Sequence, residues 1–328
     1  MHLECATDSQ DIFARTKRWD ELRERYKKGE ITQDQWLQGM LGGLRDIRFR
    51  ETALFIRSAD RRFLVTARHL LWDELSAKRM VEEPKNALPQ SLPDNMRKEF
   101  LSPFKRDSLI QIFPIIFRVP TLDELSNELP SSPLTPLPAF LMNLGSGPYS
   151  VAPYTFSDPE LDLAIVSLNQ RNCGFAEDLE RQGWVPIAPE DFTDGPSAEA
   201  AEVFTVGYPG SIAVLAERVL RLEVGLWASG AVCLPTFAFG RVSMLHQKLD
   251  FFWCDMSIYP GNSGGPVIEN NKLVGIVSAQ PTIPIEGKGV SQATTRIPFA
   301  KVTKAKHIIP LLDEQIKKDK EATKLSTS

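Results

Sequence analysis

Several features that would assign a chain to a common protein class are missing from this sequence of 328 residues. No run of about 18 uninterrupted apolar residues occurs, so no membrane-spanning helix is expected. The first residues, Met1 to Cys5, contain no basic stretch leading into an apolar run, which argues against a secretory signal. We therefore expect a cytoplasmic protein.

Positive charge is not in excess either. Lys and Arg number 38 against 42 for Asp and Glu, which leaves a net charge of -4. Because such a chain has no overall positive field to hold a phosphate backbone, neither nucleic acid nor a membrane is an expected partner. Hydrophobic residues make up 42% of the chain and charged residues 24%, so the composition is that of a globular protein with a packed core.

Cysteine is scarce, and the spacing of the four cysteines argues against metal binding. The residues Cys5, Cys173, Cys233 and Cys254 form no CxxC pair and no metal-ligand spacing, so no metal site is expected. No pattern indicates a nucleotide or redox cofactor, and we predict that the protein uses none. The cysteines are interpreted as buried apolar side chains in a reducing compartment, with a disulfide between Cys233 and Cys254 as the alternative.

The first part of the chain has the pattern of two amphipathic helices. An apolar stripe at helical spacing runs through residues 11–28 and resumes after Thr32, which forms a capping box with Gln35 three residues later. These signals predict a helical hairpin over residues 11–46, within an N-terminal helical extension of residues 1–48. The hairpin is interpreted as a buttress on the main domain, and a docking or inhibitory module is the alternative.

From Glu51 onward the pattern is that of a mainly β domain over residues 49–310. Short apolar runs are separated by turn-rich segments instead of helices, which favours an antiparallel barrel or sandwich over a parallel sheet. The proline-rich region of about 73–150 is predicted to be an insertion of loops and short strands. A mixed apolar and basic segment predicts a C-terminal helix and tail over residues 311–328.

The segment from Tyr259 to Val267, with the sequence YPGNSGGPV, is the most specific in the chain. A serine hydroxyl is a weak nucleophile until a base removes its proton, and the oxyanion that it creates needs donors already in position. Glycines on both sides of Ser263 allow a sharp turn that presents N–H groups beside the hydroxyl. The alternative is a glycine-rich turn between two strands.

Two other segments contain the partners that such a serine needs. His69 follows the β-run of residues 63–67, where a strand can aim the imidazole, and histidine is the natural general base near neutral pH. Asp162 stands at the head of the apolar run of residues 163–166, where a partly buried carboxylate needs a partner. Ordinary packing for His69 and a turn cap for Asp162 are the alternatives, and Asp158 and Glu160 are rival acids nearby.

In the chain order His, Asp, Ser, these segments resemble the trypsin-like serine peptidase family. The resemblance covers about residues 50–310, and it implies two six-stranded antiparallel β-barrels with the active site in the cleft between them. It makes His69, Asp162 and Ser263 a catalytic triad, with the first two in the first barrel and Ser263 in the second. The backbone N–H groups of Gly261 and Ser263 would form the oxyanion hole.

Asn262 departs from the digestive members of this family, which have an aspartate there that binds a newly cleaved N-terminus. The GNSGGP form and the upstream sequence VGYP look more like the intracellular, HtrA-like branch, although the short segment after Pro310 leaves no room for a PDZ domain. The resemblance also implies a primary substrate pocket, and because position 257 carries no acid we predict an uncharged, modest-sized P1 residue. The pocket residues would be Ser257 at the base and Ser278, Ala279 and Gln280 along the wall.

These residues predict a serine endopeptidase that acts on a protein or peptide substrate through an acyl-enzyme intermediate. A protease loose in the cytoplasm is hazardous, so we expect a regulated enzyme, with the N-terminal helices available to a regulatory partner. The first alternative is a catalytically silent binding or scaffold protein that keeps the peptidase fold. The second is an esterase with the same triad.

Overall fold

The structure is a computed structural model that describes residues 1–8, 12–41, 46–72, 82, 84–89, 91–101, 115–117, 142–143, 151–169, 172–217, 231–284 and 294–327. The helices are α1 (Ile12–Lys27), α2 (Gln33–Leu41), α3 (Arg68–Leu71), α4 (Cys173–Arg181) and α5 (Ile308–Thr327). The strands are β1 (His2–Asp8), β2 (Asp46–Thr52), β3 (Leu54–Ser58), β4 (Arg61–Ala67), β5 (Ile115–Phe117), β6 (Met142–Asn143), β7 (Tyr154–Phe156), β8 (Leu163–Ser167), β9 (Glu202–Gly207), β10 (Val214–Glu217), β11 (Ala231–Cys233), β12 (Thr236–Met244), β13 (Phe251–Cys254), β14 (Pro266–Glu269), β15 (Lys272–Ala279), β16 (Thr282–Pro284), β17 (Thr294–Arg296) and β18 (Ala300–Lys304).

The second half of the chain closes into a six-stranded antiparallel barrel. Its strands follow one another in the order β12, β13, β18, β15, β14 and β9, and β9 pairs again with β12. Inward side chains fill the barrel with apolar groups such as Phe252, Val267 and Val302, each fully buried. The prediction of a mainly β fold with a barrel and a C-terminal helix is therefore confirmed.

The second barrel that the family resemblance implies is not shown. The described strands of the first half form two four-stranded sheets, in the orders β3-β4-β8-β7 and β2-β1-β5-β6. Most of the 73–150 region lies outside the described residues, including the run at 109–113 and the proline-rich stretch at 130–138 that the sequence singled out. Only β5 and β6 come from that region among the described strands, and they extend the sheet of β1 and β2.

The β3-β4-β8-β7 sheet explains why its strands are apolar without alternation. Leu64 and Ala164 face one side and pack with α4, whereas Val65 and Ile165 face the other and pack with α5 and the barrel strand β15. Because both faces are covered, each strand reads as a continuous apolar run. Each large side chain buried in this way contributes roughly 1.5–3 kcal/mol, so the sheet forms a rigid base for the loops at its ends.

The N-terminal region differs from the predicted helical extension. The two predicted helices are present as α1 and α2, with the capping box formed by Thr32 and Gln35 and with Tyr26 stacked on Trp36 at 5.5 Å between ring centroids. They connect β1 to β2, two strands that pair along their whole length from His2 opposite Thr52 to Asp8 opposite Asp46. Residues 1–8 are therefore part of a sheet.

Helix α5 packs against the β3-β4-β8-β7 sheet through a buried polar network. Gln315 accepts from the Thr155 hydroxyl at 2.9 Å, and Asp319 accepts from the Ser167 hydroxyl at 2.8 Å. Such buried groups stabilise a docked helix only when their partners are present, because an unpaired polar group inside a protein is costly. The network therefore helps to set the position of the helix on the sheet.

Two further expectations can be compared with the described residues. Cys173, Cys233 and Cys254 are all free, so the alternative of a Cys233–Cys254 disulfide is wrong. Cys233 and Cys254 are buried as predicted, whereas the prediction of burial is wrong for Cys173, which is exposed near the start of α4. Across the part of the chain that the structure describes, no helix combines the length and the apolar character needed to cross a bilayer.

Candidate active site

The register between β4 and β8 brings His69 and Asp162 together. Ala67 pairs with Leu163, so the residues just beyond this pair meet at the end of the sheet. The His69 Nδ1 atom lies 2.7 Å from the Asp162 Oδ2 atom, and the His69 backbone N–H donates to Oδ1 at 2.9 Å. One carboxylate thus holds both the backbone and the ring of the histidine, which orients the imidazole.

Of the three acids in this loop, Asp162 is the one that contacts His69. The Asp158 carboxylate accepts from the backbone N–H groups of Glu160 and Leu161 and so closes a local turn, whereas the Glu160 side chain is exposed. Asp162 has a φ of 53°, a left-handed conformation that aspartate tolerates better than most residues. The turn directs its carboxylate toward the histidine.

Opposing influences act on the protonation of His69. Partial burial of the ring favours the neutral form, although the side chain remains 49% exposed. The hydrogen bond and charge of Asp162, together with the charge of Glu51, favour the imidazolium and outweigh burial, so the pKa of His69 is raised. A raised pKa makes the neutral imidazole a stronger base, but it also keeps more of the ring protonated near neutral pH.

Ser263 lies in the loop between β13 and β14, and the glycines on both sides of it adopt the positive φ angles of a sharp turn. Gly261 has a φ of 110° and Gly264 a φ of 79°, both in the region that glycine adopts without strain. The Asn262 side chain is 2% exposed, and its Oδ1 atom accepts from the Tyr259 N–H at 3.2 Å. Asn262 thus stabilises the turn that presents Ser263.

Thr52, at the end of β2, fastens this loop to the N-terminal sheets. Its backbone N–H donates to the Ser263 carbonyl at 3.0 Å, and its hydroxyl donates to the Gly261 carbonyl at 2.7 Å. The same hydroxyl accepts from the Tyr208 N–H at 3.1 Å. Because Thr52 is fully buried, these bonds are shielded from water and fix the loop in place.

Replacing Thr52 by valine is expected to lower the free energy of unfolding by about 1–3 kcal/mol, since the change removes two buried hydrogen bonds, to the Gly261 carbonyl and from the Tyr208 N–H. Of their described hydrogen bonds, those two groups keep only the longer one of 3.3 Å that joins them to each other. Chemical denaturation would measure the loss. Thr282→Val, at an exposed site on β16, is the matched control. A loss no larger than that of the control would contradict the role assigned to the hydroxyl.

Glu51 is a site residue that the sequence reasoning missed. Its Oε2 atom accepts from the Gly261 backbone N–H at 3.1 Å, and the nearby Ser263 backbone N–H also acts to lower the pKa of the carboxyl group. Burial raises the pKa of Glu51 to about 7, against the opposing effects of the His69 charge and these two amides. Of the two N–H groups that were predicted to form the oxyanion hole, the carboxylate therefore binds that of Gly261 and lies near that of Ser263.

Ser263 and His69 are not joined by a hydrogen bond in the described part of the chain. Among the hydrogen bonds of the described residues, none joins the Ser263 hydroxyl to the His69 ring. Glu51 nevertheless relates the two residues electrostatically, because both the Ser263 N–H and the charge of His69 act to lower the pKa of its carboxyl group. A signal for Glu51 was available: like Asp162, it is an acid standing just ahead of an apolar β-run.

The predicted pocket residues lie before and after the Ser263 loop in the sequence. Ser257 and Ala279 are exposed, whereas Ser278 is buried and its hydroxyl donates to the Lys301 carbonyl at 3.2 Å. The Gln280 side chain donates to the Ile297 carbonyl at 3.1 Å. The hydroxyl of Ser278 is thus held inside the fold.

Across the described residues, no cluster of three or more His, Cys, Asp or Glu side chains is arranged to hold a metal ion.

The closed antiparallel barrel, its glycine-bearing loop and the His69–Asp162 pair can now be compared with known families. Residues 142–276 match the family model described as the trypsin-like peptidase domain, a span that includes Asp162 and Ser263 and begins after His69. This match supports the trypsin-like serine peptidase family that the motifs predicted. The branch within the family stays a prediction.

Comparisons with individual proteins add little to this assignment. No curated protein matches the sequence. Among solved structures, the chain is similar to one titled "Crystal structure of Rv3671c protease, inactive form", with 13% sequence identity over 81% of this chain and 83% of that chain. The TM-score is 0.34, a likeness too weak to support any inference about this protein.

Proposed function

We propose that this protein is a serine endopeptidase whose triad is His69, Asp162 and Ser263. The observation that carries the proposal is the 2.7 Å contact between the His69 Nδ1 atom and the Asp162 carboxylate. This pair lies at the end of a sheet that is linked to the Ser263 loop through hydrogen bonds of Thr66 to Thr52 and of Thr52 to Ser263. A carboxylate in that position selects the tautomer whose other nitrogen, Nε2, is free to accept a proton. The family assignment of residues 142–276 supports the same reading.

Each group has a defined role in the proposed reaction. Ser263 attacks the scissile carbonyl while His69 takes the hydroxyl proton, and the ionised Asp162 stabilises the imidazolium that forms. The backbone N–H groups of Gly261 and Ser263 stabilise the oxyanion. His69 then returns the proton to the leaving amine, and water, activated in the same way, releases the acyl group from Ser263.

A catalytically silent binding protein is the second candidate, and one observation favours it. The described contacts include no hydrogen bond between the Ser263 hydroxyl and His69, and the Glu51 carboxylate lies on the proposed oxyanion hole. A chain that had lost turnover would keep the same fold. The intact His69–Asp162 pair favours the enzyme, because a scaffold has no need of an oriented imidazole.

Labelling with a fluorophosphonate probe separates the two candidates. We expect the wild-type protein to gain one covalent adduct, located on Ser263 by mass spectrometry, because an activated serine attacks phosphorus as it attacks a carbonyl. Ser263→Ala should not label, and Ser58→Ala in β3 should label as the wild type does. Absence of any adduct on folded protein, at long exposure and in the Glu51→Ala variant too, would favour the scaffold.

The finer parts of the functional reading stay predictions. We predict that the protein belongs to the HtrA-like branch, that it is cytoplasmic and that a regulatory partner binds its N-terminal helices. We also predict that its substrates have an uncharged, modest-sized P1 residue. Ser257 supports the P1 prediction, because this exposed, uncharged residue stands six positions before the nucleophile and offers no charge to a Lys or Arg side chain.

A further inference from the structure

We propose that Glu51 is a built-in inhibitor, whose carboxylate occupies the oxyanion hole of the resting enzyme and must leave before a substrate can react. The inference rests on the proposed function, since an oxyanion hole matters only to an enzyme that forms an oxyanion. It assigns regulation to a residue in the β1–β2 unit, outside the triad.

The first support is competition for the same donors. The Glu51 Oε2 atom accepts a hydrogen bond from the Gly261 N–H at 3.1 Å, and the Ser263 N–H is near enough to lower the pKa of the same carboxyl group. A substrate carbonyl needs both N–H groups at that distance as it becomes an oxyanion. Two negatively charged oxygens cannot share the pair of donors, so an ionised Glu51 excludes the transition state.

The second support is that the backbone holds Glu51 in this place. Thr52, the next residue, bonds to Ser263 and Gly261, and its carbonyl accepts from the Thr66 hydroxyl at 2.8 Å. On its other side, β2 pairs with β1, where the partner of Glu51 is the fully buried Leu3. The pairing of β2 with β1 and the bonds of Thr52 therefore position the Glu51 carboxylate at the proposed oxyanion hole.

The third support is the effect on the base. The charged side chains that act on Glu51 are His69 and Asp162, and the charge of Glu51 in turn raises the pKa of His69. A protonated imidazole cannot take the proton of Ser263, so the ionised Glu51 opposes catalysis at the base as well as at the hole. Removing Glu51 should relieve both effects.

The test compares full-length wild type, Glu51→Ala and Glu51→Gln, with Glu190→Ala as the control for loss of an exposed carboxylate far from the site. The readout is the second-order rate constant for fluorophosphonate labelling of Ser263. We expect Glu51→Ala to label about 10- to 100-fold faster than the wild type, in the range associated with oxyanion-hole donors. Glu51→Gln should also label faster, because a neutral amide competes less well for the two N–H groups.

Two pH measurements test the position of the carboxylate. Burial keeps the pKa of Glu51 in the folded protein at about 7, above its ordinary 4.5, so wild-type stability should fall between these values as the pH rises. The stability advantage of Glu51→Gln should grow over the same window and then level off. The labelling rate of Glu51→Ala should rise at a lower pH than that of the wild type, because His69 loses a charge that raised its pKa.

The outcomes separate failure of the inference from failure of the proposed function. If the wild type labels on Ser263 as fast as both Glu51 variants, the protein is an enzyme and Glu51 does not inhibit it. If no variant labels while all remain folded by circular dichroism, the proposed function fails and the inference fails with it. If Glu51→Ala does not fold, Glu51→Gln decides, and a rate equal to that of the wild type overturns the inference.

Discussion

Replacing Asp162 by asparagine is expected to lower kcat for peptide hydrolysis by about 10,000-fold, the loss seen when a triad loses this carboxylate. In the structure, the Asp162 oxygens accept from the His69 backbone N–H and lie against Nδ1 of the ring. An asparagine side chain can present an N–H to Nδ1 and so select the tautomer with the proton on Nε2. That tautomer cannot accept the proton of Ser263.

The measurement is kcat and KM on a peptide substrate, in the wild type and in the Glu51→Ala background, so that inhibition by Glu51 does not mask the effect. Asp158→Asn is the matched control, because an asparagine keeps the oxygen that accepts from Glu160 and Leu161. We expect the control to retain most activity and the KM of Asp162→Asn to change little. A kcat within tenfold of the parent would remove Asp162 from the triad.

Local sequence was sufficient to find the His–Asp pair, since each residue adjoins an apolar run that becomes a strand. The continuous runs at 63–67 and 163–166 became β4 and β8, two neighbouring strands of one sheet. Once two such strands pair, the residues at their ends must meet. The motifs were thus informative because the chemistry lies within two residues of strongly patterned strands.

The part that could not be predicted depends on contacts between distant segments. Strand β1 is seven residues of mixed character, and it pairs with β2 across the whole α1–α2 hairpin. Without that pairing, Glu51 reads as a polar residue ahead of a hairpin. Its position on the Ser263 loop follows from the bonds of Thr52, which no spacing in the sequence reveals.

The same bonds explain why the N-terminal helices are in a position to influence the site. The α1–α2 hairpin is connected to the strand whose end carries Glu51, so a change in how β2 lies on β1 would also move the carboxylate. The sequence suggested a buttress or an inhibitory module for this region. In the proposed mechanism the strand end inhibits, and the helices are the part that a partner can reach.

Gly264→Ala is expected to be among the most damaging substitutions in the chain, with a loss of about 3–5 kcal/mol in the free energy of unfolding. The residue has a φ of 79°, and a Cβ atom there would lie 2.1 Å from the Thr52 carbonyl oxygen and 2.5 Å from the Thr66 hydroxyl. Its backbone N–H also donates to the Val277 carbonyl at 2.8 Å, so the loop cannot shift without breaking a second contact.

Denaturant unfolding and fluorophosphonate labelling would check both parts of this expectation. Gly174→Ala is the control, because Gly174 lies on helix α4 with open space around it and alanine is favoured in helices. Stability should therefore rise slightly in the control and fall sharply at Gly264. If Gly264→Ala were as stable as the wild type, the close approach of Thr52 to the Ser263 loop would be wrong, and with it the placement of Glu51 on the oxyanion hole.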